Sequence, residues 1–286
     1  KLYAKREKRV KPRRDEKILT SWNGLMISSF VDGFRLAGDE KYLGGAVDAA
    51  RFILQEMRKE GHLMRVFHQG TSRVKGYSED YALLIQALID LYEATFEMGW
   101  LKEADDLNRR MIDQFWDETN GGFFFTGKEN ESLIAQSKNP YDNAIPSANS
   151  IAVFNLIRLG YLTGEEFLKQ KAEQILRLFH SFLDQHPSGF AQMLSGLSFL
   201  LDPQEIGIIG PKNDLRTKSM LKEIYLAYLP NKILSLRDPQ DPVEGDWFPF
   251  LKEKGNQEVP TTFVCKGFTC LPPVRNEKEL KKILER

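Results

Sequence analysis

Glu79-Asp80-Tyr81-Ala82-Leu83-Leu84-Ile85-Gln86-Ala87-Leu88-Ile89-Asp90-Leu91-Tyr92 is the stretch that decides the fold. Its apolar residues do not fall on one stripe; they point all round a helix. A helix hydrophobic on every side is one buried on every side. Three more segments share the pattern. Ser21 to about Ala37 carries Leu25, Met26, Ile27, Phe30, Val31 and Phe34. The segment from Ser147 carries Ile151, Val153, Phe154, Leu156, Ile157 and Leu159, and a shorter one carries Phe190, Met193, Leu194, Leu197, Phe199 and Leu200.

One-sided helices alternate with these. Tyr42, Leu43, Ala46, Val47, Ala50, Ile53 and Leu54 recur at helical spacing, as do Leu101, Ala104, Leu107, Met111 and Phe115, and Leu168, Ala172, Ile175, Leu176 and Phe179. Buried helices alternating with amphipathic ones predict hairpins with an inner and an outer member. Burial on both flanks of the inner helices favours a closed ring over an open solenoid. The fold expected is mainly α: part of an (α/α)6-type toroid, with about three and a half hairpins present. The connectors at Gly61 and at Gly121-Gly122 read as short extended segments between an outer helix and the next inner one.

The tail differs. Glu205–Gly210 and Asn231–Leu236 read as strands flanking a helix from Asp214 to about Leu229, with a third strand at Thr261–Cys265 and a charged helix at Asn276–Glu285. Asp238 to Val259 reads as a loop. The expected organisation is a basic linker over 1–20, a toroid region over 21–202 and a small α/β unit over 203–286. Gly207 and Gly210 do not have the spacing of a dinucleotide fingerprint or a P-loop, and read as a strand-ending turn.

The chain of 286 residues has a formal net charge of +0 and is 42% hydrophobic. That balance gives no electrostatic reason to expect nucleic acid. No apolar run approaches the roughly 18 residues of a membrane span. Two cysteines, Cys265 and Cys270, cannot complete a structural zinc site. They suit a short disulfide, a redox pair or two reduced thiols, and so few cysteines favour reduced thiols in a cytoplasmic protein. No metal or cofactor is expected.

Polar and aromatic residues recur at the N-terminal ends of the four inner helices. In a ring of parallel inner helices these ends converge on one mouth, a surface suited to a small carbohydrate. Asp80, Glu79 and Asp142 are the candidate acid–base carboxylates, since glycosidic chemistry needs two carboxyl groups about 5 to 9.5 Å apart. Trp22, Asn23, Tyr81, Ser147, Asn149 and Asp15 are the candidate substrate-binding residues. His62 and His68, near the same mouth, offer a base for epimerisation. The competing reading is capping: Ser21, Ser78 and Ser147 suit N-caps, and Glu79 and Asp80 suit the positive end of a helix.

Asp15 through Leu25, Glu79 through Ala82, Asp142 through Ser150, and Val264 through Cys270 followed by Pro272 together resemble a family of thioredoxin-domain-containing proteins that includes a mammalian spermatogenesis-associated protein. Members carry an N-terminal thioredoxin-like domain and then an α/α-toroid region similar to six-hairpin glycosidases and N-acylglucosamine 2-epimerases. The resemblance implies that this chain is the C-terminal part, partnered by the thioredoxin-like domain and the first toroid helices. It implies a glycoside hydrolase-like or sugar epimerase-like enzyme, or else a non-catalytic glycan- or protein-binding module. Ala148 stands where family members often have glycine, and no motif places the epimerases' histidines on His62, His68, His180 or His186.

Overall fold

A computed structural model describes residues 1–131, 134–240, 247–267 and 269–285. The basic segment contains a short exposed helix, α1 (Leu2–Glu7), and then a two-residue strand, β1 (Ile18–Leu19). The first inner helix, α2 (Thr20–Ala37), is followed by its outer partner α3 (Glu40–Glu56). Then come β2 (Arg58–Lys59), β3 (His62–His68) and β4 (Thr71–Lys75), a meander in which β3 also pairs antiparallel with β1. The second hairpin is α4 (Ser78–Thr95) with α5 (Met98–Phe115), and the third is α6 (Ala148–Thr163) with α7 (Glu166–Gln185). A single turn of 3-10 helix leads into α8 (Ala191–Leu201), an inner helix without an outer partner among the described residues.

The inner helices pack in succession, α2 on α4, α4 on α6 and α6 on α8, while α3, α5 and α7 each cover the back of their own hairpin. This is the partial α/α toroid that the alternation predicts. Its all-round apolar helix, α4, is buried along nearly its whole length, and Leu84, Ile85, Leu88, Ile89 and Leu91 are all inaccessible. The α2–α4 contact is close because Gly24 lies against the α4 backbone. A Cβ at that position would sit 2.7 Å from the Leu83 carbonyl oxygen.

The C-terminal unit holds a mixed sheet of order β6-β5-β7-β8. Strand β5 (Gln204–Ile209), helix α9 (Leu215–Leu226) and strand β6 (Lys232–Arg237) form the expected βαβ unit with parallel strands. After the short helix α10 (Pro249–Lys252), β7 (Thr261–Lys266) runs antiparallel to β5, β8 (Thr269–Cys270) forms the edge, and α11 (Glu277–Leu284) packs on α9. Of the loop expected over 238–259, residues 241–246 lie outside the described residues, and α10 interrupts the remainder. Gly207 is a packing glycine under α10: a Cβ there would meet Leu251 at 2.4 Å. This gives the glycine a reason that needs no nucleotide.

The α/β unit covers the C-terminal ends of the inner helices. The Tyr92 ring stacks on Phe248 at 5.7 Å, and the Tyr225 hydroxyl donates to the Glu93 carbonyl. A buried ion network crosses the same seam. Arg158 on α6 reaches Asp90 at 2.8 Å and Glu93 at 3.1 Å, Arg35 on α2 reaches Glu93 at 3.3 Å, and the Leu234 N–H donates to Glu93. Burial acts to raise the Asp90 carboxyl, but Arg158, Arg35 and the Ser28 hydroxyl outweigh it and hold it below its usual range. With one end of the inner helices covered, their N-terminal ends are left as the open mouth.

Candidate functional site at the mouth of the inner helices

A cleft of about 300 Å³ opens between the N-termini of α4 and α6. Ser78 and Glu79 form one wall. Phe123 and Phe125, from the irregular segment after α5, form the floor side, and Asn139, Tyr141, Asn143, Ile145 and Ser147 complete the rim. The segment carrying Phe123 is fixed by Asn149 in the first turn of α6. The Asn149 side chain accepts the Phe123 N–H at 2.8 Å and donates to the Phe123 carbonyl at 3.0 Å. The Ser78 N–H donates to the Phe125 carbonyl, tying the same segment to α4.

The carboxylates divide into one that faces the cleft and two that do not. Glu79 lines it with its side chain 25% exposed, ion-paired to Arg65 at 2.6 Å. Asp80 is 0% exposed. Its oxygens accept the Ser21 N–H at 3.2 Å, the Tyr77 N–H at 2.9 Å and the Arg65 guanidinium at 2.9 Å. It thereby closes the capping box of α4 and also holds the first turn of α2. Burial pushes its carboxyl up, and Arg65 and the Tyr77 N–H only partly reverse this. Asp142 accepts the N–H groups of Ser147, Gln192 and Met193 at 2.9, 2.9 and 3.3 Å, so it ties the start of α8 to the loop before α6. Both aspartates do the work that helix N-termini require, with every named bond running to backbone or to Arg65.

Of the expected binding residues, Ser147 and Asn149 line the cleft. Ser147 is the N-cap of α6. Tyr81 belongs to the core, its hydroxyl accepting the Leu63 N–H and its ring against Phe115. Asn23 donates back to the carbonyl of Leu19, the N-cap residue of its own helix. Trp22 is 60% exposed and does not line the cleft. Asp15 is exposed beside Lys17, whose hydrogen bonds lower its carboxyl. His62 pairs with Glu129 at 3.0 Å, and His68 ends β3 opposite Thr71.

Cys265 and Cys270 face each other across β7 and β8 and form a disulfide, where the scarcity of cysteines favoured reduced thiols. Composition bears on the compartment; the pairing follows from strand register, which composition does not contain.

Sequence reasoning misses Arg65 and Tyr141. Arg65 comes from β3, bridges Glu79 and Asp80, and stacks 4.9 Å from the Tyr77 ring. Tyr141 stands on the rim, 47% exposed, its ring edge-on to Phe190. Its place beside Asp142 in a polar stretch was the one available signal. No group of metal ligands occurs among the described residues, and no helix there is long and apolar enough to cross a membrane.

No protein-family model matches the chain. Over 299 residues it is 32% identical to spermatogenesis-associated protein 20 of Homo sapiens, an alignment covering 99% of this chain and 38% of the human protein. The chain therefore spans about two fifths of that relative's length. Among solved structures, cellobiose 2-epimerase from Bacillus thermoamylovorans superposes with a TM-score of 0.49 at 17% identity, over 59% of this chain and 46% of that one. A GH76 α-mannanase from Bacteroides thetaiotaomicron superposes with a TM-score of 0.49 at 14% identity, over 60% of this chain and 46% of that one.

Proposed function

We propose, starting from a chain that belongs to the family of spermatogenesis-associated protein 20, that the mouth cleft binds a mono- or disaccharide and that Glu79 is the carboxylate that meets it. The carrying observation is the position of Glu79: a partly exposed carboxylate on the wall of a cleft rimmed by Tyr141, Asn139, Asn143 and Ser147. Sugars present an apolar ring face to an aromatic such as Tyr141 and hydroxyls to carboxylates and amides. A volume near 300 Å³ lies at the small end of ligand pockets, which matches one or two sugar rings rather than a polymer.

Glu79 is the proposed acid–base group, with Arg65 as its charge partner. In the ionised state it accepts a sugar hydroxyl, and it is the cleft carboxylate able to exchange a proton with substrate. Two-carboxylate hydrolysis also needs a second free carboxyl group. Asp80 and Asp142 are tied to helix N-termini, and this favours proton transfer by a single carboxylate, or sugar binding without turnover, over hydrolysis. The remainder of the longer polypeptide is the proposed partner of the exposed row Trp22, Met26 and Leu36 on α2, since this chain covers 38% of the human relative.

Thermal unfolding against a panel of mono- and disaccharides tests the reading, with Glu79→Gln in parallel. A ligand at a hundredfold excess over its Kd adds roughly 2.7 kcal/mol of stability. A saccharide-specific rise in Tm that Glu79→Gln weakens supports the site. A flat panel at concentrations able to detect millimolar binding overturns it.

A further inference from the structure

We propose that Cys265 and Cys270 form a thiol–disulfide exchange centre at the edge of the C-terminal sheet, with Cys270 as the attacking thiol, Cys265 as the resolving thiol and small or protein disulfides as the substrate class. The centre is separate from the mouth cleft and does not rest on the carbohydrate reading.

Three features carry it. The first is asymmetry of access: Cys265 is 5% exposed within β7, whereas Cys270 is exposed on the edge strand β8. An incoming reagent therefore meets the Cys270 sulfur. The second is charge: the Lys254 ammonium lies 3.4 Å from Cys270 Sγ, close enough to donate to it. An adjacent ammonium stabilises a thiolate and so activates the cysteine once the bond is open. The third is that the bond is a weak brace. It joins positions five apart in sequence, and the Leu271 N–H already closes the same hairpin onto the Val264 carbonyl at 2.9 Å. Short loops give a cross-link the least chain entropy to remove. Both cysteines of the chain are in this one bond.

The chemistry balances with a dithiol as reductant and a disulfide as substrate. A dithiol's thiolate attacks Cys270 Sγ and expels the Cys265 thiolate, which takes up a proton. The second thiol of the reductant then attacks the mixed disulfide, leaves as a cyclic disulfide and frees Cys270. In the productive direction the Cys270 thiolate attacks a substrate disulfide, forms a mixed disulfide and expels one substrate thiolate. Cys265, deprotonated, attacks Cys270 Sγ, re-forms the internal bond and expels the second. One protein dithiol and one disulfide become one protein disulfide and two thiols.

The test uses the full chain, dithiothreitol as reductant and glutathione disulfide as substrate, followed by alkylation and mass mapping. Reduction should proceed in the folded protein and reverse on adding glutathione disulfide. In the reduced protein Cys270 should alkylate about tenfold faster than Cys265 near neutral pH, the ratio expected when one thiol is activated by a neighbouring cation and exposed. Lys254→Met should slow Cys270 alkylation several-fold near neutral pH and leave it unchanged in strong base, a difference that a structural lysine would not produce. Cys265→Ser should accumulate a glutathione adduct on Cys270. A bond that opens only when the protein unfolds overturns the proposal, and so do equal alkylation rates for the two cysteines or an inert Lys254→Met. The Lys254→Met and wild-type measurements decide the matter even where Cys265→Ser does not fold.

Discussion

Asp80→Asn separates the capping role of this carboxylate from a chemical one. The side chain accepts two backbone N–H groups, from Ser21 and Tyr77, and the Arg65 guanidinium, with no solvent exposure. An amide of the same shape keeps one acceptor and turns an NH2 group towards the remaining donors. One lost neutral hydrogen bond costs about 1 kcal/mol and one lost bond to a charged group about 1.5–3 kcal/mol. Two effects reduce the sum. Arg65 retains Glu79 at 2.6 Å, so its charge is not stranded. The amide also avoids the desolvation that pushes the Asp80 carboxyl up. The net expectation is a loss of about 2–3 kcal/mol, at or below the low end for breaking a buried ion pair. At about 2–4 °C per kcal/mol for a chain of this size, thermal unfolding should shift down by roughly 5–10 °C. Circular dichroism melts of wild type, Asp80→Asn and Glu79→Gln side by side provide the assay. The reasoning is refuted if Asp80→Asn melts within the ~0.5 kcal/mol scatter of a neutral surface change, because the three hydrogen bonds would then contribute nothing.

Glu79→Gln should melt close to wild type while losing any saccharide-induced rise in Tm, since the Glu79–Arg65 pair still meets solvent and Arg65 keeps Asp80 as a partner, so the loss should stay within about 1 kcal/mol. Gly24→Val should destabilise by about 1–3 kcal/mol, because its Cβ would stand 2.7 Å from the Leu83 carbonyl oxygen and the two inner helices must part; denaturant midpoints measure it. Stability should fall on acidification below the ordinary carboxylate range of about 4, because the folded-state pKa of Asp90 is depressed: its contribution is present above the unfolded pKa and is lost as pH falls through the folded one. An acid titration of Tm checks this, and Asp90→Asn should flatten that part of the curve. Asn149→Ala should loosen the segment bearing Phe123 and cost about 1–3 kcal/mol by leaving the Phe123 N–H without its acceptor, read as faster amide exchange at that residue.

The helical half of the fold was legible because burial leaves a periodic trace. Glu79–Tyr92 could not be amphipathic, and α4 is indeed enclosed by α2, α5, α6 and the α/β unit. The boundaries also had local causes. The αL residues Gly38 and Gly164 end α2 and α6, and Asp39 and Asp214 cap α3 and α9. The irregular segment between α5 and α6 leaves no such trace. Its shape comes from single long-range bonds, such as Asn149 to Phe123 and Lys138 to Asp117, and the latter holds the Asp117 carboxyl well below its usual range. Strand β8 has two residues and no period to read, so the register that places Cys270 opposite Cys265 could not be obtained from pattern.

The carboxylates at the inner-helix N-termini were legible in place, while the partners that fix Asp80 and Asp142 were not, and the reason is physical. A carboxylate at the N-terminus of an inner helix is favoured by the helix dipole and by unpaired N–H groups whether or not it touches a substrate. The two roles therefore share one local signature. They are separated by donors that arrive from elsewhere in the chain: Ser21, 59 residues from Asp80, and Gln192, 50 residues from Asp142. Each bond ties one inner helix to the next, Asp80 joining α2 to α4 and Asp142 joining the start of α6 to α8. Glu79 has the same dipole but no such donor; its partner is Arg65, from a strand at the rim. A toroid mouth assembled in this way uses its buried aspartates to fix the spacing of the inner helices. Among the described residues lining the cleft, the neighbouring Glu79 is the carboxylate on its wall. If that division holds, exchanging the two residues as Glu79→Asp with Asp80→Glu should lose both stability and saccharide response, because neither chain length then fits its own set of partners.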